Sequence, residues 1–408
     1  MISWRPVPDI SAPVRIIHLD IDERGAASEE AISAPYFLIL WRDDRPIAQF
    51  SAFCSSDPPL DWRMVEHACE ASTAAPTPQT SRSNISLVIC TRDRPQDLDR
   101  CLASLPSQDR RPDQVVVVDN ASRTDETRQV SEYHGVVYVR EDRPGLDIAR
   151  NRGAAVSRGD IIAYTDDDTV LHPSWLRQIE DAFDAKEIWA VTGLVLPAEL
   201  ETEAQCVFEK VWTFGRGFQR RDFGSRFYSD TRKGGSPTWA IGAGANMAFR
   251  REVFEKIGGF DERLDVGAAG CSGDTEFWYR IVHAGGVCRY EPGAVVYHFH
   301  RRTVKGLRAQ IRAYMRGYTA SLLVQHERTG DRGNLHLVWL WLPRNYLQQG
   351  LRRLAGRRTA SICLLLDQVR GFLEGISYYW TAPRTSTSSA WKTGAAIPTF
   401  ATGRERTL

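Results

Sequence analysis

The sequence predicts an α/β fold in which a mostly parallel sheet carries a ligand site, with a small β-rich unit before it and helices after it. From Ile85 onward, short apolar runs alternate with segments of helical periodicity, a pattern typical of parallel strands covered on both faces. Several of these runs end in polar residues, and one ends in three consecutive aspartates, 166–168. Because ligands bind such sheets at the carboxyl ends of the strands, these residues predict where the site lies.

The composition is that of an ordinary globular protein. The chain has 408 residues and a net charge of +1, so no global field indicates a nucleic-acid partner. Its eight cysteines are scattered without Cys-x-x-Cys spacing, which predicts free thiols and a reducing compartment. The first residues lack the layout of a signal peptide, and no window approaches ~20 uninterrupted apolar residues. We therefore expect a cytoplasmic protein without a nucleic-acid partner.

Residues 1–70 are expected to form the small β-rich unit. Val14–Ile21 has the composition of a strand, and Phe37–Trp41 and Ile47–Phe53 flank a turn-rich break, which predicts a hairpin. Residues 71–84 are rich in Ser, Thr, Ala and Pro, a composition typical of a linker.

The main domain is expected to span residues 85–302. Its predicted strands are Ile85–Cys90, Gln114–Val118, Val136–Arg140 and Ile161–Thr165, and its predicted helices are Asp97–Ser104, Thr124–Glu132, Leu146–Ser157 and Ser174–Phe183. Residues 303–380 follow as a helical region. Residues 381–408, rich in Ser, Thr, Gly and Ala, predict a disordered tail.

The acidic triplet favours a metal site. Carboxylates confined together repel one another and resist desolvation. At the end of a central strand they favour a divalent cation whose remaining ligands are phosphate oxygens. The alternative is a solvated acidic turn. Two other polar strand ends, 91–93 and 119–120, are expected at the same edge of the sheet, and this convergence favours the metal site.

Six ordered segments between Ile85 and Arg302 resemble the motifs of one enzyme family. They are ISLVICTRDRP (85–95), VVVVDNAS (115–122), GLDIARNRG (145–153), DDD (166–168), SGDTEFWYR (272–280) and VVYHFHRR (295–302). Together they are similar to the family 2 glycosyltransferases, whose nucleotide-sugar-binding domain has the Rossmann-like GT-A fold. The resemblance covers about half of the chain.

The resemblance implies which residues bind the sugar donor. The implied nucleotide-sugar-binding residues are Thr91, Arg92, Asp93, Asp119, Asn120, Arg150, Asp166 and Asp167. A divalent cation, Mn or Mg, is implied at Asp168, with a histidine of the closing segment completing its ligands. Alternation along a strand places His298 and His300 on one face. The resemblance favours His298, and both remain candidates.

The resemblance also implies that Asp274 is the general base for an acceptor hydroxyl. A positioned carboxylate that takes this proton accelerates transfer typically ~10²–10⁴-fold. The alternative is that Asp274 caps the helix that follows it. Gly273 departs from the family pattern, because many relatives carry an acidic residue there. The residues expected on the acceptor side are Trp239, Gly242, Gly244, Asn246 and Glu276.

Residues 301–316 predict a basic amphipathic helix. They hold six basic and no acidic residues, and apolar residues recur at helical spacing through and beyond them. Such a helix suits an anionic membrane surface, so we expect a protein that is peripheral on the inner face of the cell membrane. The alternative is a helix whose apolar side faces the core and whose basic side is solvated. Leu335–Leu342 has a similar interfacial character and is too short to span a bilayer.

These inferences predict an inverting glycosyltransferase that moves a sugar from a nucleotide-diphosphate donor to a glycan or lipid-linked acceptor. One alternative is a sugar nucleotidyltransferase, which would usually show a glycine-rich loop after the first strand, where this chain has Thr91–Pro95 without glycine. The other is a non-catalytic carbohydrate-binding relative, which would be expected to have lost the acidic triplet or Asp274.

Overall fold

The computed structural model describes residues 10–21, 32–71, 82–354 and 362–382. Its strands are β1 (Arg15–Asp20), β2 (Tyr36–Arg42), β3 (Arg45–Ala52), β4 (Ile85–Thr91), β5 (Gln114–Asn120), β6 (Val137–Glu141), β7 (Ile161–Asp166), β8 (Thr169–Leu171), β9 (Ile188–Pro197), β10 (Arg221–Phe223), β11 (Asn246–Arg250) and β12 (Val287–His298). Its helices are α1 (Trp62–Ala71), α2 (Pro95–Ala103), α3 (Glu126–Tyr133), α4 (Leu146–Val156), α5 (Trp175–Ala182), α6 (Glu203–Trp212), α7 (Ser225–Thr231), α8 (Arg251–Ile257), α9 (Gly273–His283), α10 (Val304–Thr329), α11 (Arg332–His336), α12 (Leu342–Leu354) and α13 (Ile362–Thr381). A π-helical turn, Leu337–Trp341, joins α11 to α12.

Each element predicted between residues 85 and 183 is present, and its ends lie within two residues of the prediction. The predicted N-terminal strand and hairpin are also confirmed as β1, β2 and β3. Most of the predicted linker, and nearly all of the predicted disordered tail, fall outside the described residues. All eight cysteines are free thiols.

The N-terminal strands form a three-stranded sheet in which β1 and β2 are parallel and β2 and β3 antiparallel. This small sheet packs on the main domain. The ring of Trp41 stacks on His172, with centroids 4.9 Å apart. Arg45 donates a hydrogen bond to Gln178 at 2.7 Å and forms an ion pair with the buried Glu291. A charged anchor and a shared apolar core therefore hold the N-terminal unit against the domain.

The main sheet has nine strands in the order β10-β12-β9-β11-β7-β4-β5-β6, and β8 pairs with β12. Strands β7, β4, β5 and β6 run parallel, and β11 is antiparallel to both of its neighbours. From the central β4 the chain builds β5 and β6 on one side and then crosses to β7 on the other. The strand order therefore reverses beside β4, which is where ligands bind in sheets of this kind.

The two faces of the sheet bury separate cores. Along β4, Val88 packs in one core, whereas Ile85, Leu87 and Ile89 pack in the other. Such alternation follows from the two-residue period of a strand, and all seven residues of β4 are buried. Helices cover both faces, so the polar groups at the carboxyl ends of the strands are left facing a cavity.

The C-terminal helices form their own small core, and their contacts bear on the two alternatives for residues 301–316. Arg308 forms an ion pair with Asp367 of α13 at 2.6 Å, and Arg312 forms one with Glu374. The guanidinium of Arg316 donates to the backbone oxygen of Ala269. Because these arginines already have partners within the protein, the structure favours the alternative of a helix packed against the core. Within the described part of the chain, none of the helices combines the length and hydropathy that crossing a bilayer requires.

Candidate active site

A cavity of about 1630 Å³ opens at the carboxyl edge of the main sheet. This volume exceeds that of a typical single-ligand pocket, ~300–1,000 Å³, so it has room for two substrates. The end of β7 contributes Asp166, Asp167 and Asp168, and the start of α9 contributes Asp274. The cavity thus brings together the acidic triplet and the predicted base, which are more than 100 residues apart in the sequence.

Two carboxylates and one imidazole form a cluster with the geometry of a metal site. One ligand atom each from Asp166, Asp168 and His298 lies within 4.8 Å of the other two. The pairing of β8 with β12 sets His298 opposite Thr169, and the backbone N–H of Phe299 donates to the backbone oxygen of Asp168 at 3.0 Å. The end of β12 is thereby fastened to the triplet. Of the two candidate histidines, only His298 lies in this cluster and lines the cavity.

The charges in this cluster are strongly coupled. Burial, and then the charge of Asp168, raise the pKa of Asp166. Burial also acts to raise the pKa of Asp168, but the neighbouring His298 and Arg94 outweigh it and hold this pKa well below its usual range. Burial lowers the pKa of His298, but the charge and hydrogen bond of Asp168 outweigh it, so the pKa is raised. Nε2 of His298 lies 3.2 Å from Oδ1 of Asp168.

Asp167 faces a different set of partners. It accepts a hydrogen bond from the hydroxyl of Thr91 at 2.6 Å and one from Arg94 at 3.1 Å. Burial and the charge of Asp168 raise the pKa of Asp167 to about 7. Arg94 also bonds to Asp168 at 3.1 Å, so a single guanidinium links two members of the triplet. Asp167 therefore joins the end of β7 to the turn after β4.

His300 links His298 to Glu209. The two Nδ1 atoms are 3.1 Å apart, and Nε2 of His300 lies 3.1 Å from Oε2 of Glu209. The ring of His300 packs among Phe208 and Phe214. His300 is buried and does not line the cavity, so its contacts suit orientation of His298 rather than direct ligation.

The turn after β4 divides its side chains between the cavity and the neighbouring turn. Arg92 is exposed and lines the cavity, as Thr91 does. Asp93 does not line it. Its backbone N–H donates to Ser122, and its carboxylate bonds to Arg123, which holds the turns after β4 and β5 together.

The side chains at the end of β5 are engaged within the protein. Asp119 is buried and does not line the cavity, because its carboxylate accepts from Ser122, Tyr138 and Arg140 at 2.8–2.9 Å. Burial acts to raise its pKa, but these hydrogen bonds outweigh it and lower the pKa. Asn120 does line the cavity. Its amide holds the loop before α4 by accepting from the N–H of Gly145 at 2.8 Å.

Asp274 lies in the first turn of α9, and Ser272 occupies the N-cap position. Asp274 is therefore not the N-cap residue, although its carboxylate satisfies a backbone N–H of the first turn. Oδ1 of Asp274 accepts from the backbone N–H of Thr275 at 2.7 Å. Burial, and then the charge of Asp265, raise the pKa of Asp274, whereas Arg150 opposes this shift.

Arg150 is committed to two other carboxylates. Its Nη1 donates to Asp147 at 2.9 Å and to Asp265 at 2.6 Å. It lines the cavity, so it lies where the donor-binding prediction requires, but these two ion pairs already engage its charge. Asp274 has no ion pair with Arg150, although the two groups interact electrostatically.

Two glycines, Gly273 and Gly244, lie beside the carboxylates of Asp147 and Asp274. A Cβ at Gly273 would lie 1.9 Å from Oδ2 of Asp147, so the carboxylate of Asp147 occupies the space that a side chain at position 273 would need. A Cβ at Gly244 would lie 3.0 Å from Oδ2 of Asp274 and 2.9 Å from Nη2 of Arg150. The absence of a side chain at position 273 therefore makes room for Asp147, and its absence at position 244 leaves space beside Asp274 and Arg150.

The predicted acceptor-side residues separate into two groups. Trp239, Gly242 and Gly244 line the cavity. Asn246 and Glu276 do not, because both side chains are used inside the protein. The amide of Asn246 bonds to Trp175 and to the backbone oxygens of 194 and 294, and Glu276 forms an ion pair with Arg280 at 2.8 Å. These contacts correct the expectation that Asn246 and Glu276 face the acceptor.

Sequence reasoning missed three side chains that contact the predicted site residues: Arg94, Glu209 and Asp265. Arg94 stands next to the predicted turn residues, and Arg301 lies 3.8 Å from Asp168. Nothing in the local sequence around Glu209 or Asp265 indicates a role, because each reaches the site only through the tertiary fold.

Comparison with known proteins agrees with this geometry. Residues 86–258 match the model of Glycosyl transferase family 2. The Glucosyl-dolichyl phosphate glucuronosyltransferase of Haloferax volcanii is 24% identical over 184 residues, which cover 43% of this chain and 56% of the relative. The Pre-mycofactocin glycosyltransferase of Mycobacterium tuberculosis is 26% identical over 295 residues, which cover 70% of this chain and 58% of the relative. The chain thus spans little more than half of the length of these relatives.

A solved structure confirms the fold class. The structure of mannosyltransferase PcManGT from Pyrobaculum calidifontis, in complex with GDP-Man and Mn²⁺, superposes with a TM-score of 0.50. The match covers 77% of this chain and 93% of that chain at 17% identity. The α/β architecture predicted from the sequence is therefore the GT-A fold of glycosyltransferases.

Proposed function

We propose that this protein, whose residues 86–258 belong to glycosyl transferase family 2, moves a sugar from a nucleotide-diphosphate donor to a hydroxyl of a glycan or lipid-linked acceptor, with inversion. One observation carries the proposal. The cluster of Asp166, Asp168 and His298 and the carboxylate of Asp274 line the same cavity, which is large enough for a donor and an acceptor together.

The cluster fits a divalent cation such as Mn or Mg. Carboxylates are suitable ligands for such ions. Burial and the charge of Asp168 raise the pKa of Asp166, and a positive charge beside the two carboxylates would relieve their repulsion. Asp166, Asp168 and His298 would hold the cation. When bound, it supplies Lewis-acid stabilisation of the diphosphate leaving group. The guanidinium groups of Arg94 and Arg301 add positive charge next to Asp168.

His300 and Glu209 fix the tautomer of His298. Nε2 of His298 faces Asp168 and would ligate the cation, so the proton of the neutral ring would lie on Nδ1, which donates to Nδ1 of His300. Nε2 of His300 then carries its own proton and donates to Glu209. A hydrogen-bonded chain of this kind keeps a ligating nitrogen free of protons and correctly aimed.

Asp274 takes the proton of the acceptor hydroxyl in this proposal. It lines the cavity, its pKa is raised, and it is not held in an ion pair with Arg150. A carboxylate with a raised pKa is a stronger base, which suits a group that must remove a proton as the hydroxyl attacks. Trp239 and Gly244 border the same part of the cavity, where an acceptor sugar would lie.

The product of the reaction separates this proposal from its alternatives. The full chain is incubated with a panel of nucleotide sugars and Mn²⁺, and the released compound is identified. A glycosyltransferase releases a nucleoside diphosphate in the presence of an acceptor. Pyrophosphate release from a nucleoside triphosphate and a sugar phosphate would instead indicate a nucleotidyltransferase, and donor binding without turnover across the acceptor panel would indicate a non-catalytic relative.

A further inference from the structure

Exposed apolar side chains are concentrated in the C-terminal helices. Of the thirteen large apolar side chains that are exposed among the described residues, eight lie between residues 337 and 381. Isolated exposed apolar residues are normal on any surface, whereas a concentration of them marks an interaction site. The eight are Trp339, Leu340, Trp341, Leu347, Leu351, Leu366, Leu373 and Trp380.

Five of the eight lie on the π-helical turn and α12. Leu340, Leu347 and Leu351 share one exposed side with Arg344, and Trp339 and Trp341 flank Leu340; we call this surface the apolar–basic face. Leu340, Arg344, Leu347 and Leu351 recur at intervals of four, three and four residues, so they share one side of the helix. The three leucines are 61%, 64% and 55% exposed. The opposite side is buried, and Tyr346 there contacts the ring of Phe372 at 5.7 Å between centroids.

We propose that the apolar–basic face docks on an anionic lipid surface. Residues 332–354 contain four arginines and no acidic residue, so the segment is uniformly positive. Leucine and tryptophan side chains suit the boundary between headgroups and acyl chains, and arginine side chains reach the phosphates from the same helix. An anionic membrane supplies both the apolar medium and the negative charge that this face lacks.

The charges argue against a second copy of the chain as the occupant. Arg344 lies among the leucines of the face. In a symmetric dimer through this face, the arginines of one copy would meet those of the other in a desolvated contact with no acidic residue of the segment to pair them.

The face also borders the cavity. Leu337, Trp341 and Leu342 line the cavity, and Trp341 is at the same time exposed at the surface. Docking through this face would place one side of the cavity against the lipid surface. The further step, that the acceptor is lipid-linked and enters along Trp341, rests on the proposed transferase function.

Vesicle sedimentation of the full chain tests the docking step without donor or metal. Vesicles of phosphatidylcholine are compared with vesicles that also contain phosphatidylglycerol, at low and high salt. We expect binding to the anionic vesicles that weakens at high salt. The double variants Leu340→Ser/Leu347→Ser and Arg344→Gln/Arg352→Gln should each weaken it by roughly tenfold or more.

The matched controls use exposed residues outside the face. Arg308→Gln/Arg312→Gln removes the two arginines that α13 already pairs, and Tyr133→Ser removes a ring that is 83% exposed on α3. Both should bind vesicles like the wild type. Equal binding to neutral and anionic vesicles, or equal weakening by the controls, would overturn the proposal. A dimer in sedimentation equilibrium that Leu340→Ser/Leu347→Ser dissociates, while that variant still binds anionic vesicles, would also overturn the proposal.

The two proposals fail separately. Donor binding measured by calorimetry without vesicles reports on the transferase site, and the face variants should leave it unchanged. Absence of anionic-vesicle binding by the wild type, with donor turnover intact, therefore refutes docking only. Absence of donor turnover, with vesicle binding intact, refutes the transferase only.

Discussion

Replacing Asp274 by Asn should abolish most of the transfer while leaving the fold intact. Asn has the same size and keeps the Oδ1 atom that accepts from the backbone N–H and the hydroxyl of Thr275. Burial and the charge of Asp265 raise the pKa of Asp274, which means that the folded protein disfavours the ionised form. A carboxyl with a raised folded-state pKa lowers stability at pH values above both its folded and unfolded pKa. At neutral pH, Asp274→Asn should therefore be as stable as the wild type or more stable.

The expected loss of turnover follows from the role of the base. Removing a general base costs typically ~10²–10⁴-fold in rate. At about 1.36 kcal/mol for each factor of ten, this corresponds to roughly 2.7–5.4 kcal/mol of lost transition-state stabilisation. Donor affinity should hardly change, because the donor is proposed to bind at the cluster of Asp166, Asp168 and His298, to which Asp274 does not belong.

The assay measures turnover, donor affinity by calorimetry and thermal unfolding on the same preparations. Glu276→Gln is the matched control, since Glu276 is a buried acid two residues further along α9 that does not line the cavity. Its ion pair with Arg280 is lost in the variant, so stability should fall by about 3–5 kcal/mol while the folded enzyme still turns over. Near-wild-type turnover in Asp274→Asn, or a loss of stability without a loss of rate, would refute the assignment.

The pH profile gives a second test of the same carboxylate. The base must be ionised to act, so the rate falls as the pH drops through its folded-state pKa. Because this pKa is raised, the acidic limb of the wild-type profile should lie above the ordinary aspartate value of 3.8. The residual activity of Asp274→Asn should lack this limb. An identical limb in the variant would assign the titration to another group.

Three further changes test the metal cluster and the packing of α9. Asp168→Asn should abolish metal-dependent nucleotide binding in calorimetry, and unchanged binding would remove Asp168 from the site. His300→Phe, whose ring suits the aromatic pocket, should weaken Mn²⁺ binding by ~10–100-fold in an electron paramagnetic resonance titration. Glu209→Gln keeps an acceptor for His300 and should weaken Mn²⁺ binding less. Equal Mn²⁺ affinities in the wild type and both variants would contradict the orienting role of His300. Gly273→Ala places a Cβ 1.9 Å from Asp147 and should cost about 1–3 kcal/mol of stability in denaturant unfolding. The control Gly350→Ala, where a Cβ meets no atom within 4 Å, should not lower the stability.

The sequence was sufficient for the parts of the site that depend on one strand or one helix. Alternating apolar runs identify β4, β5 and β7, and the strand-end rule then places their polar residues at one edge. Thr91 and the acidic triplet lie there because each directly ends a buried strand. The two-residue period likewise predicts that His298 and His300 share one side of the chain.

Contacts between distant segments decided what the sequence could not. Which histidine lines the cavity depends on the pairing of β8 with β12 and on Glu209, which is 91 residues from His300. Asp119 has the residue type and position of a ligand contact, yet Tyr138 and Arg140 of the neighbouring strand occupy its carboxylate. A polar side chain can serve the protein or the ligand, and only its three-dimensional neighbours distinguish the two uses.

The surroundings of Arg150 explain why Asp274, rather than a neighbouring acid, suits the role of base. Asp147, Asp265 and Asp274 share this one guanidinium, which bonds directly only to the first two. Burial, and then the charge of Asp265, raise the pKa of Asp147 well above its usual range, so Asp147 retains a proton readily. Asp147 and Asp265 both form ion pairs with Arg150. Asp274 is left as an ionisable carboxylate that lines the cavity without a direct ion pair. In the proposed mechanism, the protein therefore tolerates a buried acid with a raised pKa where the acceptor would lose its proton. The same raised pKa is why Asp274→Asn should not destabilise the fold.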